Sequence, residues 1–561
     1  MDAQRSTRPL TRRHFMLLFG TGLGGLVASA CQTAPTAPTT AGGPSTKAPA
    51  PSSTQAPQAA PAATAASPTT AQPAAPTRGG ELRIALAQAN QTMDPHYLES
   101  LVDRIASDAV YESLLDYDET GKIIPGLAES WEVGGDGKTI TMRLRQGVKF
   151  HDGTAFDAAA VKWNFDRILN PDEKTLRRSD LDALTSAAVV DSTTVKLTLL
   201  RADVTVLANL TSVPGVYMVS PSAVQQMGKE KFAQNPVGTG PFKFAEWQRG
   251  TKMSFTRNDS YWKPNQPYVD RVTFSTIPDS TVMTLNLTSG NVDIIPTIAP
   301  KDVSTLKSNK DVRIVEGTGG VWFIWLNMRR PPFDKLANRQ AFMHAIDYAA
   351  IYNVAYFGMG KRGSGSPFPP ESFAFDPSLP PLERDLTKAK QKLAEAGNPN
   401  GFSFRVAFAA IYESPQVMQM VQASLAEVGI RMELMQTEAS RLNEILLKDR
   451  DGAEAWQSGI LASRLEPAGY VDFNLVTDSR ANFSGWSNAQ FDGFLREAVQ
   501  TFDRDKRQKI YQDAAKLVTQ DVPGVYYMFP PRLQATRANV QNYRLDALGK
   551  VGFRECWLQK T

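Results

Sequence analysis

Residues 32–78 carry no large apolar side chain: the stretch is built almost entirely from Ala, Pro, Thr, Ser, Gly and Gln, so folding can begin only after it. Such a segment cannot offset the entropy of ordering itself by burying surface. Its prolines favour an extended spacer. At Arg78 the composition changes abruptly, and Leu82, Ile84 and Leu86 then alternate with Arg83 and Ala85 in the pattern of a half-buried strand. Roughly 480 residues are left for folding, enough for two or three domains of ~100–200 residues.

What precedes the spacer reads as an export address. Thr11-Arg12-Arg13-His14-Phe15-Met16-Leu17 resembles a twin-arginine signal, and the Gly-rich apolar stretch from Phe15 to Ala30 follows it. That stretch is too short and too interrupted to favour a permanent membrane span. Ala28-Ser29-Ala30-Cys31 resembles a lipobox, in which Cys31 is acylated and becomes the mature N-terminus; Ala28 stands where the common pattern has Leu. The same Ala28-x-Ala30 also suits the peptidase that releases soluble proteins. A cysteine placed directly at the cut, in a chain with only two cysteines, favours the lipid anchor.

Charge and cysteine content exclude several function classes. Within residues 1–78, Arg5, Arg8, Arg12, Arg13, Lys47 and Arg78 stand against Asp2, so the segment carries +5; the whole chain is +4, leaving −1 on the rest. A near-neutral body has no global basic field for nucleic acid. One thiol, Cys556, remains beyond Cys31, too few for a disulfide framework or a Cys-based zinc site. His14 leaves with the signal, His96 and His344 are isolated with no partner at ligand spacing, and His151, though it adjoins Asp152, fits a turn better than metal or acid–base chemistry, so no metal and no cofactor is expected.

Local patterns point to mixed strands and helices throughout, hence α/β or α+β layers. Asp136-Gly137 between Trp131-Glu132-Val133 and the alternating 139–145 run predicts a tight hairpin. Asp334 is expected to cap a helix carrying Leu336, Ala341, Phe342, Ala345, Ile346 and Ala349 on one face, and Thr387 to cap another that stops at Gly397. Phe150-His151-Asp152-Gly153 reads as a turn before a helix over 158–168. Gly358-Met359-Gly360-Lys361-Arg362-Gly363 matches a dinucleotide fingerprint formally, but it follows a helix and opens none. Gly238-Thr239-Gly240-Pro241 lacks the ending of a phosphate loop, and no nucleophile elbow is present, so no catalytic constellation is legible.

Several of these blocks together resemble one family. Gly79-Gly80-Glu81-Leu82-Arg83-Ile84-Ala85, Met93-Asp94-Pro95-His96, Val110-Tyr111-Glu112-Ser113-Leu114-Leu115, Pro125-Gly126-Leu127-Ala128-Glu129-Ser130-Trp131 and Leu144 through Gly153 occur in the order and spacing of the peptide/nickel/oligopeptide solute-binding proteins, family 5. Val237 through Phe242, Ser289-Gly290-Asn291-Val292-Asp293 and Asp521-Val522-Pro523 continue the likeness, which covers 79–561. It implies a periplasmic-binding-protein type II bilobal clamshell with an extra domain: lobe I from 79–110, 236–318 and 525–561, the extra domain 111–235, and lobe II 319–524. The chain would cross between lobes near 317–320 and again near 521–525. It further implies a monomeric, non-enzymatic receptor outside the cytoplasm that serves an ABC permease and its ATPase.

The resemblance also directs attention to candidate ligand-binding residues. Peptide-binding members carry Asp-Pro where this chain has Glu466-Pro467, and that Asp pairs with the ligand α-ammonium; Glu466 keeps the charge on a longer arm. Arg464 could accept a solute carboxylate or neutralise Glu466. Trp322 and Trp325 lie on the apolar run Val321-Trp322-Phe323-Ile324-Trp325-Leu326 beside the expected hinge, and alternation puts them on opposite faces. At most one of them lines a cleft directly; core packing is the competing role for each, as for Trp456 and Trp486.

Overall fold

In the computed structural model the described residues are 75–561 without 99, 119, 212–215, 410–412, 450–451, 461–465, 472–473, 480, 546–550 and 561. Arg12, Arg13, Cys31 and Arg464 therefore lie outside them. Strand β1 (Glu81–Leu86) opens a seven-stranded sheet. It sends Leu82, Ile84 and Leu86 into one apolar cluster and Ala85 into another, as strand alternation requires. Next come β2 (Ala128–Val133), β3 (Thr139–Leu144), β4 (Leu184–Asp191) and β5 (Thr194–Leu199), which form a separate antiparallel sheet of order β2-β3-β5-β4. The predicted hairpin joins β2 to β3, with Gly137 at φ +68.

The chain then returns to the first sheet with β6 (Phe242–Gln248), β7 (Lys252–Arg257), β8 (Arg271–Thr276), β9 (Ile294–Ile295) and β10 (Val312–Thr318). A six-stranded sheet follows, made of β11 (Val321–Leu326), β12 (Lys361–Arg362), β13 (Ser403–Ala409), β14 (Arg431–Thr437), β15 (Ala455–Ile460) and β16 (Gly524–Phe529) in the order β12-β16-β11-β15-β13-β14. Strand β17 (Pro531–Arg537) finally re-enters the seven-stranded sheet beside β10.

Two adjacent crossings thus link the large sheets. Thr318 pairs with Pro531 on one side, and Trp322 pairs with Met528 on the other. Between them Gly319 faces Pro530 so closely that a Cβ at 319 would sit 2.3 Å from the Pro530 carbonyl oxygen. The first crossing runs through Gly319 and Gly320, between β10 and β11. The second comes later than the expected 521–525, because Gly524–Phe529 pairs along β11 before the chain leaves the six-stranded sheet.

Helices pack on these sheets: α1 (Ala158–Leu169), α2 (Leu336–Ala345), α3 (Leu386–Glu395), α4 (Ser414–Ala426) and α5 (Arg504–Asp521). Two expected caps are corrected. Lys335 precedes α2 without a side-chain cap, and the Asp334 carbonyl instead accepts from Arg339. Asp385, not Thr387, caps α3 by accepting from the Lys388 N–H at 2.9 Å, while Gly397 ends that helix at φ +78 as expected. The Phe150–Gly153 turn forms, with the Gly153 N–H donating to the Phe150 carbonyl at 2.9 Å.

The Met93–His96 block is a buried joint. The Arg167 guanidinium of α1 donates to both Asp94 oxygens, at 3.1 and 2.5 Å, and to His96 Nδ1 at 3.0 Å. His96 Nε2 donates to the Tyr217 carbonyl at 3.1 Å. Burial, helped by the neighbouring guanidinium, pushes the imidazole down to about 4, so it stays neutral. Asp94→Ala would leave Arg167 buried without its counter-charge and should cost about 3–5 kcal/mol of stability. Urea unfolding of the variant measures this, and a midpoint unchanged from wild type would show that the pair holds nothing.

Candidate functional site

The strand directions bring one edge of each large sheet together at the crossings. In the six-stranded sheet β15 and β16 both run antiparallel to β11, β13 runs parallel to β15, and β14 parallel to β13. The C-terminal ends of β13, β14, β15 and β16 therefore lie on the edge where the chain crosses. In the seven-stranded sheet β1, β8, β9 and β10 likewise end towards the crossings. Ligands of open α/β sheets bind outside the carboxyl ends of their strands.

Register decides which tryptophan is near that edge. Trp322 pairs with Gly459, one residue in from the Val321–Ile460 pair that ends β11 and β15. Its ring lies across Gly459 so tightly that a Cβ there would fall 1.8 Å from Trp322 Cε3. Trp325 pairs with Trp456, three residues and so about 10 Å deeper. Both sit on the opposite face from Trp322, packed with Phe323 at centroid distances of 5.0 and 5.9 Å. Trp486 is buried in that second cluster as well. The alternation expected from sequence holds, and of the tryptophans considered Trp322 is the one beside the edge.

On Trp322's face a set of polar groups gathers that sequence reasoning did not single out. A register shift in β16 between the partners of Trp322 and Phe323 turns both Tyr527 and Met528 towards Trp322. Gln457 Nε2 donates to the Tyr527 hydroxyl at 3.1 Å, and that hydroxyl is also hydrogen-bonded to Tyr356. Glu413 stands at the start of α4, beyond the C-terminal end of β13, and makes no capping bond to the helix. Burial pushes its carboxyl above the usual carboxylate range, and its charge adds to the burial that raises Tyr356 and Tyr527. Beside the same edge, an open depression of about 390 Å³ is lined by residues including Tyr352, Lys361, Arg362, Ser364 and Phe529.

Glu466 is placed differently from its expected role. Its carboxylate is buried, ion-paired with Arg507 and accepting from the Tyr511 hydroxyl at 3.0 Å, both groups on α5. A ligand ammonium would have to displace Arg507 to reach it. Among the described residues no group of three or more His, Cys, Asp or Glu side chains is placed to hold a metal ion. No helix among them is long and apolar enough to cross a membrane.

Residues 122–481 match the model of bacterial extracellular solute-binding proteins, family 5 (middle). The chain belongs to that family. It is 31% identical over 452 residues to the glutathione-binding protein GsiB of Pectobacterium atrosepticum, covering 79% of this chain and 87% of that protein. The periplasmic binding protein DppA of Helicobacter pylori, solved with the peptide STSA, superposes with a TM-score of 0.73 at 26% identity over 86% of this chain and 99% of that one. AgaA of A. tumefaciens R10, solved with agropinic acid, gives 0.72 at 29% identity over 86% and 99%. The fold is that of the type II periplasmic binding proteins, and the chain is an extracytoplasmic solute-binding component of the ABC-transporter kind.

Glu413 supplies a test that needs no ligand. Its folded pKa lies above the unfolded value of about 4.3, so the folded state holds the extra proton and wild-type stability falls as pH rises through that range. Glu413→Gln should therefore melt higher than wild type at pH 7, with the difference shrinking towards pH 4. A difference equal at both pH values would mean that the carboxyl is not held out of water.

Proposed function

We propose that this chain captures a small solute, a peptide or a molecule of similar size, at the crossing edge between the two large sheets and delivers it to a membrane permease driven by an ATPase. The observation that carries this reading is the convergence of carboxyl strand ends from both sheets on one edge. There Trp322, Gln457, Tyr527, Tyr356 and Glu413 combine an aromatic wall with a few polar groups, the usual composition of a solute site. Lobe I would consist of 79–110, 236–318 and the chain from Pro531 on, the extra domain of 111–235, and lobe II of 319–529. The paired crossings would be the hinge, and preferential affinity for the closed form would draw the lobes together.

In this reading Trp322 touches solute, whereas Trp325 and Trp456 pack the interior of lobe II. Arg507 fills the neutralising role at Glu466, which leaves Arg464 for a solute carboxylate. The twin arginines Arg12 and Arg13 direct export, and a lipid on Cys31 tethers the receptor through the 32–78 spacer.

Solution scattering of the full-length protein should show a smaller radius of gyration with reduced glutathione or a short peptide than without, with stoichiometric binding and no turnover. An unchanged curve despite saturating binding would refute closure. The tether is checked by fractionation: Cys31→Ser should move the protein from the membrane pellet to the soluble fraction, and a wild-type chain already soluble would rule out the lipid anchor.

A further inference from the structure

The four-stranded sheet β2–β5 and its helix α1 belong to an insertion, 111–235, that falls between β1 and β6 in the chain, so both its chain connections run to the seven-stranded sheet. Its contacts with that sheet are those of a fixed joint. Buried Glu112 accepts from Tyr261 at 2.6 Å, Trp262 Nε1 at 2.8 Å and Thr239 at 3.0 Å. Tyr217, Val219, Ala223 and Phe232 enter the same apolar cluster as Ile84 of β1. Parting these surfaces would strand a buried carboxylate without its donors.

The insertion also touches the side of the six-stranded sheet, to which it has no chain connection, and there the contacts are of another kind. The Val204 N–H donates to the Val499 carbonyl at 2.8 Å, near the end of the helix Ala489–Gln500. Phe502, just beyond that helix, lies against Gly137 of the β2–β3 hairpin: a Cβ at 137 would fall 2.9 Å from its ring. Tyr117 and Ala208 turn away from the insertion's own apolar cluster, which holds their neighbours Leu115 and Leu207, and join the cluster around Trp325, Phe483 and Trp486. These contacts use main chain and neutral side chains, so they can part without leaving a charge buried and unpaired.

We propose that the insertion is a clasp. It rides with the seven-stranded sheet, and its 134–138 hairpin and 200–208 turn close on the 499–502 segment when the two large sheets draw together around solute. The assignment rests on the solute-receptor reading and deepens it, because it gives the extra domain a part in closure and makes this structure the clasped arrangement. A contact made only on closing slows release of solute more than it speeds capture.

Spin labels on Leu200→Cys and Lys506→Cys, two exposed positions beside the contact, report its separation in the full-length Cys31→Ser protein, whose remaining Cys556 is buried. Pulsed dipolar spectroscopy without solute should give a short separation and a longer one. Reduced glutathione, Met-Leu or Ser-Thr-Ser-Ala, whichever calorimetry shows to bind, should gather the population into the short one. Phe502→Asp should shift it to the longer one and speed probe release about tenfold, the scale of losing a packed aromatic anchor. The comparison with and without bound probe needs no variant at the contact, so it stands even if Phe502→Asp folds poorly. A single short separation, unchanged by bound probe and by Phe502→Asp, would make the contact a permanent interface and overturn the clasp while leaving the receptor reading intact. If no probe binds, the receptor reading fails for these solutes, and the effect of Phe502→Asp on the solute-free separation still decides whether the contact opens.

Discussion

The close contact of Gly319 with Pro530 is the constraint on which the arrangement of the site depends. Two strands leave one sheet and enter the other side by side, and each sheet continues the antiparallel pair that the other begins. Because β11 enters and β16 leaves at the same edge, every strand parallel to β16 must end there too. The loops that follow β13 and β15 are thereby delivered to the crossings. Any side chain at 319 would meet the Pro530 carbonyl and separate the two passages. The position of the site follows from this topology before any particular side chain is considered.

Burial of charge distinguishes structural joints from the open edge. Arg167 satisfies Asp94 and His96 at once, tying α1 to the Met93–His96 turn, and Arg507 ties Glu466 to α5. Each ion loses hydration and regains most of it from a partner fixed by the fold. Among the described residues Trp325 Nε1, Trp456 Nε1 and the Tyr526 hydroxyl are buried without a hydrogen-bond partner, yet they are neutral donors deep in an aromatic cluster. Leaving such a group unpaired costs far less than leaving a charge unpaired. An uncompensated neutral donor can be tolerated as core.

Sequence patterns disclosed features governed by neighbouring residues. Asp136-Gly137 forms the hairpin and Gly397 ends α3 because positive φ at those positions is a local matter. The opposite faces of Trp322 and Trp325 follow from strand alternation alone. The cap of α3 moved only from Thr387 to Asp385, two acceptors of similar chemistry competing for the same N–H groups. The second crossing was misplaced for a different reason. Asp521-Val522-Pro523 does break the chain, with Val522 at φ +48 ending α5, but a break does not say which sheet the next strand will join.

The candidate site was the least legible part because its members are far apart in sequence. Gln457 and Tyr527 meet only through the β11–β15 and β11–β16 registers, and Tyr527 faces Trp322 only because of a shift in β16 that no local pattern announces. Glu466 drew attention through its Pro467 neighbour, but the residue that answers it, Arg507, lies 41 positions later. Had Arg507 been visible as its partner, Glu466 would have read as a joint like Asp94.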